Sequence, residues 1–511
     1  MKTIKILTMA ALALLTVACS NNDIELAPVK PADPVSEITI TATLNANDGA
    51  TTRTLSENGN KIKSTWETTD QFAILFNDGT SNVNRTATVS SINNSSVTIT
   101  FTIPSSLANN TPCKIVYPAS AANATNTDAD VDAALATQNG ALATAPDVRV
   151  GTATIDKTNH SLSDVTKLAA QNAIFKFTLK DIAGTSDKAA TEFKVSDESG
   201  NVLTTVTPGS ATNTLYVALP VMATGTYWFS ATVGSKPYIA KATVSTATTA
   251  GKYYQTQVNM ATLGDLMGAN GKFYADAAAI TAASTTAIGV IAYLGTDNFT
   301  ENGTFVGSSA FVGHGLVLCL KNAAGNVCWS TETSTLEFSG QEVNGLDDLK
   351  RATNVSGYTN TTTLAAKTDA ATKYPAAYRA KNYTGLTAPA GTTGWFLPSA
   401  QQWVKIQTDL GGLSESNITW ENSWFDTSHT AADKWETALA KAGTKGAAYD
   451  SMTDSHLWYW SSSEYSEPHG HNAVYLNVDA TKTGDNFGFC WNYVVKNDLS
   501  EKNRVRPVLA F

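Results

Sequence analysis

A chain of 511 residues is too long for one core and implies roughly two to four domains. Thr, Ala, Asn, Ser and Gly dominate and only 15% of residues are charged, which excludes long helical assemblies rich in Glu and Lys. The formal net charge of −9 disfavours nucleic acid and anionic membrane as partners, and residues 1–262, with 18 basic and 20 acidic side chains, hold little of that excess.

The chain opens with Lys2 and Lys5, an apolar run over residues 6–18, and small residues leading into Cys19. That run is shorter than the ~20 residues a membrane-spanning helix needs. It reads as a cleaved signal. The segment resembles a bacterial lipoprotein signal with its lipobox, although Thr16 stands where leucine is usual. The resemblance implies removal of residues 1–18 and lipidation of Cys19. Ser20-Asn21-Asn22-Asp23 looks like a weak form of the export tag of Bacteroidetes surface lipoproteins. Residues 19–35 hold three prolines and no periodicity, and read as a lipidated tether.

Residues 36–262 read as β throughout. Period-two alternation predicts a strand over 37–44, with Ile38, Ile40, Ala42 and Leu44 on one face. A polar loop spans 45–60. Further strands are predicted at 71–76, 96–103 and 113–117. A polar stretch over 119–146 reads as the boundary between two β-sandwiches, 36–145 and 146–262. The second holds predicted strands at 172–179, 192–196, 226–233 and 238–244, and closes on Gly251-Lys252-Tyr253-Tyr254.

Four features in this order resemble the fimbrillin-like lipoproteins of Bacteroidetes: the lipoprotein signal, Thr52-Arg53-Thr54 after the first strand, Trp66 with Glu67 and Asp70 before an apolar strand, and the closing Gly-Lys-Tyr-Tyr segment. That family comprises two-sandwich pilins of type V pili and related surface lipoproteins. The resemblance implies transthyretin-like or Greek-key sandwiches. It also implies protease cleavage after Arg53. The first strand then leaves, and a strand from the next pilin subunit fills the groove. Arginine is scarce in this half, occurring only at 53, 85 and 149, and a polar loop is a preferred site for nicking.

Beyond residue 262 the texture changes. Nine of the eleven tryptophans and five of the six histidines lie here, so stacking and imidazole chemistry concentrate in this region. A β run is predicted at 287–294. Segments 315–320 and 327–330 could form a hairpin that sets Cys319 against Cys328. A disulfide there and two small buried thiols are both open. Ser399 with Gln402 predicts a capping box on a helix that stops at Gly411-Gly412. A second helix is predicted over 431–442, capped by Thr430 and stopped by Gly443.

Gly394-Trp395-Phe396-Leu397-Pro398-Ser399, the helix with Trp403, Tyr459-Trp460-Ser461-Ser462-Ser463-Glu464 and Val505-Arg506-Pro507-Val508 resemble C-type-lectin-like domains of bacterial surface proteins, a layout shared with formylglycine-generating enzymes. This implies an α+β binding domain over 263–511. The fold class expected overall is mainly β, two sandwiches followed by that domain.

The candidate ligand-binding residues are Trp420, Trp424, Glu464, Glu467, His469, Trp491 and Asn492. Glu467-Pro468-His469 and Trp491-Asn492-Tyr493 follow the order of a sugar-binding lectin's calcium ligands. His469 and Tyr493 replace two oxygen ligands, so no metal and no cofactor is expected, and a sugar would be held by stacking and hydrogen bonds. His469 and His471 alone make weak evidence for a metal. Catalytic residues are not evident: a nucleophile elbow, a phosphate loop and a His-Glu-x-x-His helix are missing, and Cys490 has no evident partner cysteine.

The sequence therefore reads as an outer-membrane, surface-exposed lipoprotein, part of a fimbrium if processed. It would act as a pilus-tip or cell-surface adhesin. Its partners would be other pilin subunits, a surface glycan or protein, and the outer membrane through the lipid. A structural or anchor pilus subunit and a formylglycine-generating-type enzyme are the alternatives. The C-terminal segment, carrying Pro507, reads as built into its own domain rather than free to donate a strand.

Overall fold

The computed structural model describes the chain from residue 36 to 511, apart from residues 46–53, 60, 94–95, 297, 301–310, 352–354, 421–422, 454–456, 468–469, 480–487 and 500–502. The expected lipidation at Cys19 and cleavage at Arg53 lie outside the described residues. The fold is mainly β. It contains two eight-stranded sheets, two five-stranded sheets and one isolated hairpin.

The first sheet curls on itself. Its strand Ser161–Ser163 pairs with Arg149–Asp156 on one side and touches the first strand, Glu37–Asn45, on the other. The predicted alternation holds: Ile40, Ala42 and Leu44 face a core shared with Phe72, Ile74, Ile99 and Phe101. Trp66, Phe72 and Tyr117 cluster with ring centroids 5.1–5.2 Å apart. Buried Asp70 fixes the turn beside them, accepting from Tyr117 Oη at 3.1 Å and from Glu67 N at 2.9 Å.

The sandwich boundary at 145/146 moves. Arg149–Asp156 pairs with Thr111–Tyr117 and sends Ala153 and Ile155 into the first core. The first unit therefore extends to Ala169–Ala170. Conversely, Thr137–Gln138 pairs with Val202–Val206 and belongs to the second sheet. Asn172 marks the crossing: its Oδ1 accepts from Val148 N at 2.8 Å and its Nδ2 donates to Pro146 O at 3.0 Å.

The second sheet places Asn172–Asp181 between Thr214–Pro220 and a parallel partner, Tyr253–Thr262. Its core stacks Phe175, Phe177, Phe193 and Phe229. Between the two sandwiches lies the hairpin Thr54–Asn58 with Lys61–Thr65. Leu55 is buried there against Leu75, Leu135, Ile174 and Ala218.

The third unit combines two five-stranded sheets with helices. In one sheet Ala287–Leu294 pairs with Gly315–Cys319, which in turn pairs with Val508–Ala510. The other contains Leu457–Glu467, Gly470–Asp479 and Gly488–Val495. The capping box forms: Ser399 and Gln402 satisfy each other's backbone N–H at the start of Ala400–Asp409. The second helix is Thr430–Ala440, and its cap is not Thr430. Asp426 reaches in from the preceding turn and accepts from Ala431 N at 2.9 Å and Ala432 N at 3.2 Å, a stronger charged cap.

The Cys319–Cys328 hairpin does not form, and both are buried free thiols. Gly315–Cys319 already has a neighbour on each edge, so no place remains for 327–330. Ala324–Gly325 pairs instead with Asn503–Val505. Burial pushes the Cys319 thiol up to about 12.

One face of the second sheet packs against the third unit. Trp228, Ile239 and Ala261 meet Ile288, Val317, Leu509 and Phe511 in a shared core.

Candidate functional site

Two places gather the groups that could engage a partner. The first is the first strand. Glu37–Asn45 pairs antiparallel with Ser96–Pro104 along its whole length, from Glu37↔Pro104 to Asn45↔Ser96. On its other edge it meets the sheet only where Thr41 lies beside Ser161, with Thr41 N donating to His160 O at 3.0 Å. Ile40 and Leu44 are completely buried. The strand thus fills a groove between Ser96–Pro104 and Ser161–Ser163. Emptied, that groove would expose the ladder of Ser96–Pro104 and an apolar floor, both costly in water.

The chain re-enters the described structure at the Thr54–Asn58 hairpin, which is tied to the second sandwich. Lys176 Nζ donates to both Glu57 carboxylate oxygens, at 3.0 and 3.2 Å, and Tyr253 Oη donates to Glu57 in a short hydrogen bond. The Tyr253 hydroxyl first, and the Lys176 ammonium second, hold the Glu57 carboxyl below the usual range.

The second place is the open end of the sheet in the third unit. Tyr465 lies opposite Asn472 and Tyr493 opposite Val474, so the two rings flank the middle strand from either side. They stack at 3.7 Å and 9°. Trp420 comes in from the loop after the 3₁₀ turn Glu415–Asn417, 6.3 Å from each ring. All three rings are half-buried. Asn492 is half-buried on the opposite face of the strand from Tyr493, its Oδ1 accepting from Tyr493 N at 2.8 Å. A partly exposed aromatic ledge suits the apolar face of a sugar ring or a flat side chain.

The other sequence candidates scatter. Glu464 is a structural residue: it and Lys496 are wholly shielded and form a short ion pair. Glu464 also accepts from Glu337 N and Phe338 N, and Lys496 Nζ donates to Thr335 O at 2.5 Å. A carboxylate so occupied has no oxygen left for a ligand. Trp491 is fully buried, and its indole donates to Gln407 Oε1 at 3.1 Å. It shares a strand face with Tyr493, two residues on; Trp491 lies inside the core and Tyr493 at its half-buried rim. Trp424 is half-buried on the Trp420 loop. The side chains of Glu467 and His469 lie outside the described residues. Among the described residues no cluster of three or more His, Cys, Asp or Glu is set to hold a metal. Cys490 is buried, its thiol 3.6 Å from the Trp491 carbonyl.

Tyr465 and Tyr493 were not singled out by sequence as a pair. They are separated by a strand, so only the register brings them together. An aromatic residue on each outer strand near its open end is the one signal that could have found them.

No family model matches the chain, and no curated protein does. Solved structures resemble it distantly. A fimbrial protein from Bacteroides ovatus aligns over 93% of this chain and 99% of its own, at 15% identity and a TM-score of 0.33. A fimbrial assembly protein from Parabacteroides distasonis covers 43% of this chain and 90% of its own, at 12% identity and 0.24. A shaft pilin from Lactobacillus rhamnosus covers 44% of this chain and 98% of its own, at 12% identity and 0.21.

Proposed function

We propose that the chain is a surface-exposed fimbrial adhesin: its first sandwich accepts a strand from another subunit, and its third unit, with the layout of a C-type-lectin-like domain, binds a surface glycan or protein. The observation that carries this reading is the lopsided pairing of the first strand, laddered fully on one edge and held at one residue on the other. Arg53 lies between that strand and a hairpin tied elsewhere. A cut after Arg53 would release residues 19–53 with any lipid on Cys19, and would leave the new end held by Leu55 and Glu57. Without the cut, a lipid on Cys19 would moor the protein to the outer membrane. Val508–Ala510 is paired within the third unit's own sheet and is not free to donate a strand.

The test is direct. The purified chain is cut after Arg53 and incubated with peptides copied from residues 36–45, native or with Ile40 and Leu44 replaced by Asp. Strand acceptance predicts a stable, stoichiometric complex with the native peptide only. Equal binding of both peptides, or loss of folding on cutting, overturns it. A purely structural or anchor role would keep strand acceptance while Trp420→Ala changed no cell or glycan binding.

A further inference from the structure

A cleft of about 450 Å³ opens where the second sandwich meets the third unit. One wall is the strand Lys236–Val244, which contributes Lys241, together with Asn259. The facing wall is the turn at Asn270-Gly271-Lys272. Trp228 and Phe273 form the apolar floor. Two lysines therefore reach one cleft from two different units. Among the described lining residues there is no carboxylate, in a chain whose net charge is −9.

The Lys241 ammonium and the Lys272 backbone are each placed by their surroundings. Lys241 Nζ stands 5.0 Å from the Trp228 ring centroid. That ring is itself stacked on His314, with centroids 4.0 Å apart. His314 is buried and its Nε2 has no partner among the described residues. Lys272 sits at the end of a tight turn: Gly268 N donates to Lys272 O at 2.9 Å and Lys272 N to Asn270 Oδ1 at 3.1 Å. Gly271 permits the turn with a φ of +74°. Neither ammonium forms an ion pair among the described residues. The Oδ1 of Asn259 accepts from Gln257 Nε2 at 2.7 Å, which leaves the Asn259 Nδ2 donors unspent among the described residues.

A site with two unpaired cations, amide donors, an apolar floor and no acid selects an anion rich in oxygen acceptors and carrying an apolar face. Its volume suits one or two sugar rings, since small-ligand pockets run from about 300 to 1,000 Å³. We propose that this cleft is a second binding site, separate from the tyrosine ledge, and that it takes a carboxylated saccharide, a uronic or sialic acid unit. The lysines hold the carboxylate, Asn259 donates to ring or hydroxyl oxygens, and the ring lies over Phe273. Both walls are needed, so the site exists only while the two units stay docked.

The full chain is titrated by calorimetry with a galacturonate disaccharide and with sialyl-lactose, against neutral lactose and a short polyglutamate. Binding of at least one acidic saccharide is expected, with no binding of lactose. Lys241→Gln and Lys272→Ala are each expected to weaken it tenfold or more, and raising salt from 0.05 to 0.5 M should weaken it further. Lys272 is exposed, so its replacement leaves the fold intact. The proposal is overturned if neither acidic saccharide binds, if both lysine variants bind as the parent does, or if polyglutamate binds as tightly. It is also overturned if Trp420→Ala abolishes the binding, which would assign it to the tyrosine ledge. Strand acceptance by the cut chain is measured separately and does not depend on the outcome.

Discussion

Glu464 and Lys496 show how much a buried charge must be given. The carboxylate takes one ammonium and two backbone N–H groups; the ammonium adds the Thr335 carbonyl and lies 5.0 Å from the Trp329 ring centroid. Removing one partner strands the other in a dry interior, at a cost of about 3–5 kcal/mol. Glu464→Ala is therefore expected to lower the denaturant midpoint of the chain sharply, while the double replacement Glu464→Met with Lys496→Met recovers much of the loss. His314 supplies a pH-dependent counterpart. Burial, with Lys241 adding to it, pushes its imidazole down to about 4, against about 6.5 in an unfolded chain. The unfolded state thus binds the proton first. Stability is complete above about pH 6.5 and falls as pH drops toward 4, by on the order of 3 kcal/mol. The difference between wild type and His314→Phe in unfolding free energy across that range isolates the effect. A flat difference would refute it.

At the scale of elements, strands with one wet face were legible and strand partners were not. Ile38 to Leu44 alternates cleanly because one face of that strand meets solvent, and the capping box at Ser399 announces its helix by local chemistry alone. The assignment of Arg149–Asp156 to the first sheet is different. It depends on which core takes Ala153 and Ile155, a choice made across tens of residues of chain. The failed cysteine hairpin has the same cause: the edge that 327–330 would need is taken by Val508–Ala510 from the far end of the chain. At the ledge, Trp420 was readable from composition; Glu464 alternates with Tyr465 and points to the other face, whereas Trp491 shares a face with Tyr493 and is buried because it sits further from the strand's end. Strand phase separates Glu464 from Tyr465, and position along the strand separates Trp491 from Tyr493; neither is visible without the register. Two predictions belong here. Leu44→Asp is expected to free the first strand in the intact chain, raising exchange of the Ser96–Pro104 amide hydrogens at least tenfold. Glu57→Ala removes a half-exposed ion pair and should cost only about 0.2–1 kcal/mol, while making the hairpin more accessible to protease.

Across the whole molecule, the three units are joined by packed faces as well as by chain. Leu55 and its neighbours close the first junction, and the Trp228 core closes the second. Trp228 is nearly buried although it lies on the outer side of its own sheet's core. Replacing it with alanine is expected to cost about 3–5 kcal/mol, all of it at the second junction. Calorimetry should then show the third unit melting apart from the sandwiches, where the parent melts them together. A single unchanged transition would mean that the junction adds nothing to cooperativity. The clefts at that junction, and the lysines within them, could not be read from sequence, because the residues that line them come from separate units.

The nine-residue ladder between Glu37–Asn45 and Ser96–Pro104 also has a mechanical meaning. A pull applied along the strand axis loads every rung at once, in shear, instead of peeling rungs off one by one. A strand of the same length and register seated in that groove would inherit this geometry. The joint would then yield slowly to a sustained axial tug and quickly to a sideways one, which is the behaviour wanted of a link in a tethered fibre under flow.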